Sequence, residues 1–386
     1  MANRFGIATR LAPAPRGGST VCSRTGWART GLGAGAAALC LWAAGLGCLP
    51  DPVVHVPDFA PPPPVVDAAV PRPDGGPATD LGAATWAPDG TNASTESLRG
   101  CWVGDQALSA AYAVGNNGTI LRRAGASWQV EVAKDVDKVV TETLYAVAAL
   151  APDQVYAVGD QGVILRRAAD KWTREGKELR LTTALYGVTV LSSGEVIAVG
   201  DGGVIARRKV AGVWALEPVD MALARASFRA VWGTQDTDLI AVGTGAVVAQ
   251  PSGGSWIPDP ATIDAADRGN FYAVAATAEG PFVAGDYGRI LRRSGGKWQR
   301  EAIAEPMPRP TMPIYLFGLT AVQGELYAVG SVGSSGTGGL IERRDAASKT
   351  WGLEQSGLDK SLFAVAGAAS RSVVAVGANG LVLRRM

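Results

Sequence analysis

Four side chains of this 386-residue chain whose oxygens could bind a metal ion recur in short turns, each next to a glycine. These residues are Asn116, Asp160, Asp201 and Asp286. A calcium site would need several oxygen ligands converging in one loop, and no loop here has a D-x-D-x-D spacing. Asx residues and glycine are typical of tight turns, because both tolerate positive φ. The sequence therefore favours a structural role for these residues and predicts no metal site.

Catalysis through histidine is ruled out by composition, because His55 is the only histidine in the chain. Neither a Ser-His-Asp set nor a histidine metal cluster can be built. The glycine-rich segment 200–203 separates two strand-like runs instead of preceding a helix, so it does not match a phosphate-binding loop. A glycoside hydrolase needs only two carboxylates, and that class stays open. We predict no catalytic residue and no cofactor.

Paired arginines recur at one place in the sequence pattern. The pairs are Arg122-Arg123, Arg166-Arg167, Arg207-Arg208, Arg292-Arg293, Arg343-Arg344 and Arg384-Arg385. A two-residue hairpin would set Arg123 opposite Trp128 on one face of a sheet, where the guanidinium can stack on the indole. The fourth copy has Gln250-Pro251 instead, and Pro251 can still stack on Trp256.

A polyanion-binding surface is the alternative interpretation of these arginines. Arginines that recur once per copy are spread around the molecule and do not cluster. The formal charge of +1 also falls to −4 without the five arginines of residues 1–47. A folded part with that charge is not typical of nucleic-acid binding, so we predict no nucleic-acid partner.

A repeated pattern positions all these side chains. Its marker glycine falls at Gly115, Gly159, Gly200, Gly243, Gly285, Gly330 and Gly377, with spacings of 44, 41, 43, 42, 45 and 47 residues. Such a period, filled with strand-like runs, is typical of propeller blades. The second copy reads LYAVAAL, QVYAVGD, GVILRR and KWTREG, which are four short strands separated by turns. We predict an all-β fold, a seven-bladed β-propeller of four-stranded blades.

One tryptophan marks the outer strand of each blade. The seven residues are Trp86, Trp128, Trp172, Trp214, Trp256, Trp298 and Trp351. The seventh copy ends before any outer strand, whereas Trp86 stands 29 residues before the first marker glycine. We therefore predict that residues 82–90 add the fourth strand to the last blade, which would remove a bare strand edge. The propeller then spans 81–386. Segment 135–143 is predicted to form a short turn of helix, and Cys101 a buried apolar position.

The N-terminal part has a different composition from the repeats. Residues 1–48 carry five arginines before a Gly/Ala/Leu run, which is typical of an export signal. The run ends in GLGC at Cys48 and resembles a bacterial lipobox, in which the cysteine is lipidated. Simple cleavage and a retained anchor are the alternatives. Residues 49–80 are rich in proline and form a disordered spacer by composition. We expect a cell-envelope protein, an outer-membrane lipoprotein or a periplasmic or surface-exposed monomer.

The units VYAVGDQGVILRR…W, which cover residues 98–386, resemble those of sialidase-like and photosystem II assembly factor-like bacterial propellers. They also look like the W-A-V-G-D-G-G-T-I-L repeats of lipoproteins from high-GC Gram-negative bacteria. Sialidase aspartate boxes place S-x-D-x-G-x-x-W in the third hairpin, whereas D-x-G lies one hairpin earlier here. The resemblance implies the propeller fold and does not carry sialidase catalysis over to this chain.

Two departures from the repeat mark a candidate binding site. They are the insertion 331–339 and the long connector 302–315, which should lie on one face of the propeller. The candidate ligand-binding residues are Glu305, Arg309, Tyr315, Ser334 and Ser335. We expect both segments to lie outside strands. The predicted function is a non-catalytic binding or assembly module of the envelope that recognises a protein or a glycan. The alternative is a carbohydrate-active enzyme with carboxylates at the channel mouth.

Overall fold

A computed structural model describes residues 85–90, 93–304, 306, 312–333 and 338–386. Seven mainly antiparallel sheets follow one another along the chain. The first strand of each sheet packs against the first strands of both neighbouring sheets, so the seven close into a ring around an axis. The predicted all-β, seven-bladed propeller is confirmed. Within the described ranges, no helix is both long and apolar enough to cross a bilayer.

The strands are numbered along the chain, and the first half of the ring contains β1 to β15. β1 spans Trp86–Pro88, ahead of blade 1. Blade 1 has β2 (Leu98–Val103), β3 (Ala111–Gly115), β4 (Ile120–Ala124) and β5 (Ser127–Glu131), followed by the short β6 (Lys134–Asp135) and β7 (Lys138–Val139). Blade 2 has β8 (Leu144–Ala151), β9 (Gln154–Gly159), β10 (Ile164–Ala168) and β11 (Lys171–Glu175). Blade 3 has β12 (Leu185–Val190), β13 (Val196–Gly200), β14 (Ile205–Arg208) and β15 (Trp214–Leu216).

The second half of the ring contains β16 to β31. Blade 4 has β16 (Phe228–Trp232), β17 (Ile240–Gly243), β18 (Val248–Ser252) and β19 (Ser255–Pro258), followed by β20 (Thr262–Ile263). Blade 5 has β21 (Phe271–Thr277), β22 (Gly280–Gly285), β23 (Ile290–Ser294) and β24 (Lys297–Arg300). Blade 6 has β25 (Ile314–Val322), β26 (Glu325–Val332), β27 (Gly339–Arg344) and β28 (Trp351–Leu358). Blade 7 has β29 (Leu362–Gly367), β30 (Val373–Gly377) and β31 (Val382–Arg385).

Helical structure in the described residues is limited to single 3₁₀ turns. They span Asn116–Gly118, Asp160–Gly162, Lys177–Leu179, Asp201–Gly203, Met221–Leu223, Thr244–Ala246, Ala265–Asp267 and Ala378–Gly380. Five of them connect the second and third strands of a blade. Three of these five contain the turn residues Asn116, Asp160 and Asp201 of the sequence pattern.

The ring closes through its two chain ends, as predicted. β1 pairs antiparallel with β31, with Trp86 opposite Arg385. The N–H of Met386 also donates to the carbonyl oxygen of Thr85, at 2.9 Å. Blade 7 therefore has four strands, three from the C-terminal end and one from the N-terminal side. Without β1, the edge of β31 would be unpaired.

The marker glycines are required by a close approach of two strands. A Cβ built on Gly115 would lie 2.1 Å from the carbonyl oxygen of Ser97, just before the first strand. The corresponding distance is 1.8 Å between Gly330 and the carbonyl oxygen of Tyr315. No side chain fits at these separations, and for that reason glycine recurs once per blade.

Segment 135–143 does not form the predicted helical turn. It contributes to the β6–β7 hairpin, in which Lys134 pairs in parallel with Thr173 on the outer edge of β11. The outer edge of β11 offers unpaired backbone N–H and C=O groups. Pairing with that edge holds the segment in an extended conformation instead of a helical one. β20 covers the edge of β24 in the same way. Cys101 is half-buried against the core of blades 7 and 1, and burial raises the pKa of its thiol.

Blade 6 is longer than the others. Its first strand begins at Ile314 and has nine residues. Its second strand continues through Ser331 to Val332, and Gly339 begins the third. The ends of the insertion 331–339 therefore belong to strands. The expectation that this segment lies wholly outside strands is wrong, because the extra residues extend an existing ladder.

Candidate functional site

Every first strand carries a β-bulge at the same place. In blade 1 the register shifts between Leu98 and Gly100, so Arg99 is left outside the ladder. The same shift occurs in the other six blades. A bulge re-aims the side chain of its extra residue. We call the seven residues placed in this way the axial ring: Arg99, Tyr145, Tyr186, Arg229, Tyr272, Phe317 and Phe363.

Neighbouring members of the axial ring contact each other around the axis. The guanidinium carbon of Arg99 lies 4.4 Å from the ring centroid of Phe363. That of Arg229 lies 4.0 Å from the ring centroid of Tyr186. The aromatic members pack at centroid distances of 4.8, 5.5 and 5.8 Å, in the pairs Tyr145–Tyr186, Tyr272–Phe317 and Phe317–Phe363. All seven side chains are half-buried, so the ring keeps an accessible surface.

The turn carboxylates hold the tyrosines of this ring. The hydroxyl of Tyr186 donates to Asp201 at 3.0 Å, and that of Tyr272 donates to Asp286 at 2.8 Å. Burial raises the pKa of both phenols, and the adjacent carboxylates raise it further. The phenols therefore stay protonated at neutral pH and act as donors. The turn residues have the structural role that the sequence favours, and in addition they orient the axial ring.

One face of the propeller is made of these turns and the connectors between blades. The turn of blade 1 donates from Gly118 N to the carbonyl of Glu142, in the connector to blade 2. The turn of blade 3 donates from Gly203 N to the carbonyl of Ala226, in the next connector. We call this face the turn face. The axial ring belongs to it, since its tyrosines reach the same turns.

The two arginines of the axial ring carry charge without a carboxylate. In the described part of the chain, neither Arg99 nor Arg229 forms an ion pair. Arg99 Nε donates to the neutral Oδ1 of Asn116 at 3.1 Å, and Nε of Arg229 is buried with no hydrogen-bond partner. Burial lowers the pKa of Arg99. Neither guanidinium is therefore neutralised by a carboxylate of the described residues, and both can still attract an acidic ligand.

The paired arginines of the repeat are placed differently, at the rim. In blade 2, Arg167 binds Glu131 at 2.9 Å, and Glu131 also accepts a hydrogen bond from Trp172 Nε1 at 2.7 Å. Glu131 ends the outer strand of blade 1. One carboxylate thus joins two blades.

This arrangement recurs between other blades, and we call it the rim girdle. Its ion pairs are Arg123–Asp89, Arg167–Glu131, Arg208–Glu175, Arg293–Asp259, Arg344–Glu301 and Arg385–Glu354. The paired guanidiniums are neutralised, and five of these six arginines are buried. These six arginines are therefore engaged in joining neighbouring blades.

The predicted register of the rim is confirmed, but the predicted stacking is wrong. Arg167 does pair opposite Trp172. Its guanidinium nevertheless lies over the ring of Tyr112 in the preceding blade, because Glu131 draws it across the interface. The carboxylates were missed at the sequence level. Their signal is W-x-x-(D/E), which follows every one of the seven marker tryptophans.

The structure describes one of the five predicted ligand-binding residues. Tyr315 is half-buried in β25, next to the axial ring, and its ring stacks on Phe317 with a centroid distance of 6.1 Å. It pairs with Ser331 of β26, so the expectation that it lies outside strands is wrong. The other four, and the lipidation candidate, lie outside the described residues: Glu305, Arg309, Ser334, Ser335 and Cys48.

The axial site is suited to binding. Its carboxylates already accept hydrogen bonds, Asp201 from Tyr186 and Asp286 from Tyr272. No phenol has a lowered pKa, so none is an activated nucleophile. Among the described residues, no group of three or more His, Cys, Asp or Glu could hold a metal ion. What the site offers is two unpaired cations among aromatic surfaces.

A cleft of about 550 Å³ lies at the rim, beside the β6–β7 hairpin. Its Asp135 is paired with Arg174 and with Lys177, and the lysines that also line it, Lys134 and Lys171, are exposed to solvent. The axial ring is the stronger candidate site, because its cations are half-buried and lie against aromatic rings.

Comparison with protein families and with curated proteins finds no match to this sequence. Solved structures do match. YCF48 bound to a D1 peptide aligns with a TM-score of 0.59 and 17% identity, covering 80% of this chain and 97% of that one. YCF48 from Cyanidioschyzon merolae gives 0.58 and 18%, covering 78% and 99%. The WD40 propeller of Doa1 gives 0.56 and 11%, covering 78% and 96%. At these identities the similarity establishes the propeller fold, which hosts many functions.

Proposed function

We propose that this protein is a non-catalytic binding module that recognises a segment of another protein at the axial ring. The observation that carries the proposal is the pair of guanidiniums, Arg99 and Arg229, which lack a carboxylate and stack on aromatic rings. YCF48 has the same fold and has been solved with a D1 peptide bound. That structure supports a protein ligand for a propeller of this kind.

The chemistry of the ring defines the ligand. A guanidinium matches the geometry of a carboxylate and binds it through two parallel hydrogen bonds. The aromatic members supply apolar surface with little conformational freedom, as in many interface anchors. The expected ligand therefore carries an acidic group next to an apolar one.

We further propose that the propeller is tethered to the cell envelope. The export signal of residues 1–48 and the proline-rich spacer 49–80 support this. In an extended polyproline conformation, such a spacer reaches about 100 Å. Replacing Cys48 with alanine should abolish labelling by a radioactive fatty acid and release the protein in soluble form. Wild-type protein that takes up no label and leaves the membrane in a salt wash would disprove the lipid anchor.

The binding proposal is tested with the full-length chain on an array of random decapeptides. We expect the bound peptides to be enriched in Asp and Glu, next to apolar residues. Arg99→Gln and Arg229→Gln should each weaken binding about tenfold or more, since a hydrogen bond to a charged group contributes about 1.5–3 kcal/mol. Arg122→Gln is the matched control, because that arginine is exposed at the rim. Equal losses in all three variants would refute the axial site.

The alternative function, a carbohydrate-active enzyme, is tested by measuring polysaccharide hydrolysis. Release of reducing ends from a panel of polysaccharides by the wild type, and its loss in Asp201→Asn, would replace the binding proposal. A binding module leaves every polysaccharide intact.

A further inference from the structure

Blades 5 and 6 carry two tyrosines at positions where the other blades have small or polar residues. Tyr287 occupies the middle of the turn of blade 5. The equivalent residues in the other described turns are Asn117, Gln161, Gly202, Gly245 and Asn379. Tyr315 precedes the bulge of blade 6. Its equivalents are Ser97, Thr143, Ala184, Ser227, Asn270 and Ser361. The repeat itself does not need an aromatic ring at either position.

Tyr287 has an unusual conformation for its residue type. Its φ is 57°, in the left-handed region, where a bulky side chain is an outlier. It is also 40% exposed, so burial does not explain the choice of tyrosine. Strained residues persist where the surroundings hold them, and they cluster at functional sites. Asn or Gly would occupy this turn with less strain.

The two tyrosines extend the axial ring outward. The ring centroids of Tyr287 and Tyr315 are 6.4 Å apart, and Tyr315 stacks on Phe317 with an interplanar angle of 7°. The guanidinium carbon of Arg289 lies 4.8 Å from the ring centroid of Tyr287. Met312, three residues before Tyr315, is exposed and packs on Gly333. We call Tyr287, Tyr315 and Met312 the aromatic spur.

We infer that the aromatic spur binds an apolar side chain of an extended polypeptide whose acidic group lies at Arg99 or Arg229. This inference rests on the proposed function and names the second half of its site. Ring contacts run without a gap from Tyr287 to the guanidinium of Arg99. A strand advances about 3.3 Å per residue, so a decapeptide is long enough to follow this path.

The chemistry of the spur favours a polypeptide over a glycan. The thioether of Met312 has no donor and is a weak acceptor, so it contributes little to binding a hydroxyl-rich sugar. Methionine adapts its shape to apolar side chains. An extended polypeptide can carry an acidic side chain that binds Arg99 or Arg229 and an apolar side chain that packs on the aromatic spur.

The experiment measures fluorescence anisotropy of labelled decapeptides with the full-length protein. The parent peptides are the binders from the random array, and each is compared with two derivatives. One derivative has serine in place of its apolar residue, and the other has Asn or Gln in place of its acids. Labelled oligogalacturonides, which are acidic but have no apolar side chains, form the glycan arm.

Tyr287→Asn and Tyr315→Ser introduce the residues that other blades carry at these positions, so the fold is retained. In the double variant we expect affinity for the parent peptide to fall about tenfold, down to that of its serine derivative. The dependence on the acidic residue should persist. Arg99→Gln should show the reverse, losing the dependence on the acid and keeping the preference for the apolar residue. Leu216→Ser, an exposed position on blade 3, is the control.

Three other outcomes would contradict the inference, and they differ in what they imply for the proposed function. If Arg99→Gln weakens binding and the tyrosine variants do not, the spur inference is wrong and the proposed function stands. If only the oligogalacturonides bind, the ligand is a glycan and the inference is wrong. If no peptide binds up to millimolar concentration, both the inference and the proposed protein ligand fail.

Discussion

The arginines at the rim and the arginines at the axis have opposite surroundings. Arg385 lies at the rim, and although burial alone would lower its pKa, the carboxylate of Glu354 raises it. Arg99 lies at the axis, where burial lowers the pKa and no carboxylate compensates. A buried charge needs a partner, and the rim supplies one from the neighbouring blade. At the axis, a ligand can supply it.

In this ring, charge neutralisation separates the structural arginines from those that we propose bind a ligand. The rim arginines recur with the repeat and join the blades. The axial arginines occur in only two blades, and they arise from bulges that otherwise hold Tyr or Phe. Four predictions test this division, and they are given in order of decreasing effect.

Truncation should break the rim girdle at its closing blade. Removing residues 1–92 deletes Trp86 and Asp89, and with them β1 and the ion pair to Arg123. We expect the free energy of unfolding to fall by about 5 kcal/mol or more, with aggregation through the exposed edge of β31. Removing residues 1–80 keeps both residues and is the control. Equal melting temperatures of the two truncated proteins would show that β1 does not close the ring.

Glu354→Leu removes the carboxylate shared by Arg385 and Trp86, whose contacts are 2.8 and 3.0 Å. The side chain is only 4% exposed, so a guanidinium and an indole N–H would be left unpaired. We expect urea denaturation to show a loss of about 3–5 kcal/mol. Arg99→Gln should change stability by less than about 1 kcal/mol, since no ion pair is lost. Equal losses in the two variants would contradict the division between rim and axis.

Glu342 is the opposite case to Arg99, because it is a buried carboxyl group without a guanidinium partner. It is 0% exposed, its oxygens have no side-chain partner in the described residues, and burial raises its pKa to about 8 against the opposing effect of the nearby Ala304 backbone. The folded chain thus keeps its proton to higher pH than the unfolded chain, whose pKa is near 4.5. The free energy of unfolding should therefore fall as pH rises from about 4.5 to 8 and level off above.

Glu342→Leu should remove this pH dependence and stabilise the protein at pH 8 by about 2–4 kcal/mol. Leucine occupies the equivalent positions Leu121, Leu165, Leu291 and Leu383. The same substitution at Glu354 should have the opposite sign, so denaturation of both variants at pH 8 is the direct measurement. A loss of stability in Glu342→Leu would mean that this carboxylate has a partner in the folded protein.

Pro251→Arg should complete the rim girdle where it is open. Trp256 Nε1 has no hydrogen-bond partner in the described residues, and Glu217, which ends the preceding blade, binds Arg207 at 3.1 Å. A guanidinium opposite Trp256 would reach the position used in the other blades. We expect a gain of about 1 kcal/mol, measured by urea denaturation against Pro251→Ala. A gain of the same size in the alanine variant would assign it to the loss of proline.

The sequence by itself determined the blade count, the closing strand and the register of each hairpin. These depend on short-range information: a marker glycine forced by strand contact, a turn of two residues, and one tryptophan per outer strand. Trp86 could be assigned to the last blade because its spacing follows the same period. Local sequence patterns do not predict the structure at the outer edges of the blades, where segment 135–143 takes its conformation from pairing beside β11.

The tertiary structure decided which charges are paired and which side chains converge. Glu131 and Arg167 are 36 residues apart and meet only because blades pack face to face. Arg99 and Phe363 meet only because the ring closes between blades 1 and 7. The only local signal of the bulges is the Gly or Ala that follows each bulged residue, and it does not reveal that the seven bulged side chains meet around the axis. Closure of the ring determines which side chains of neighbouring blades meet. Which arginines have a carboxylate partner, and which do not, follows from those contacts.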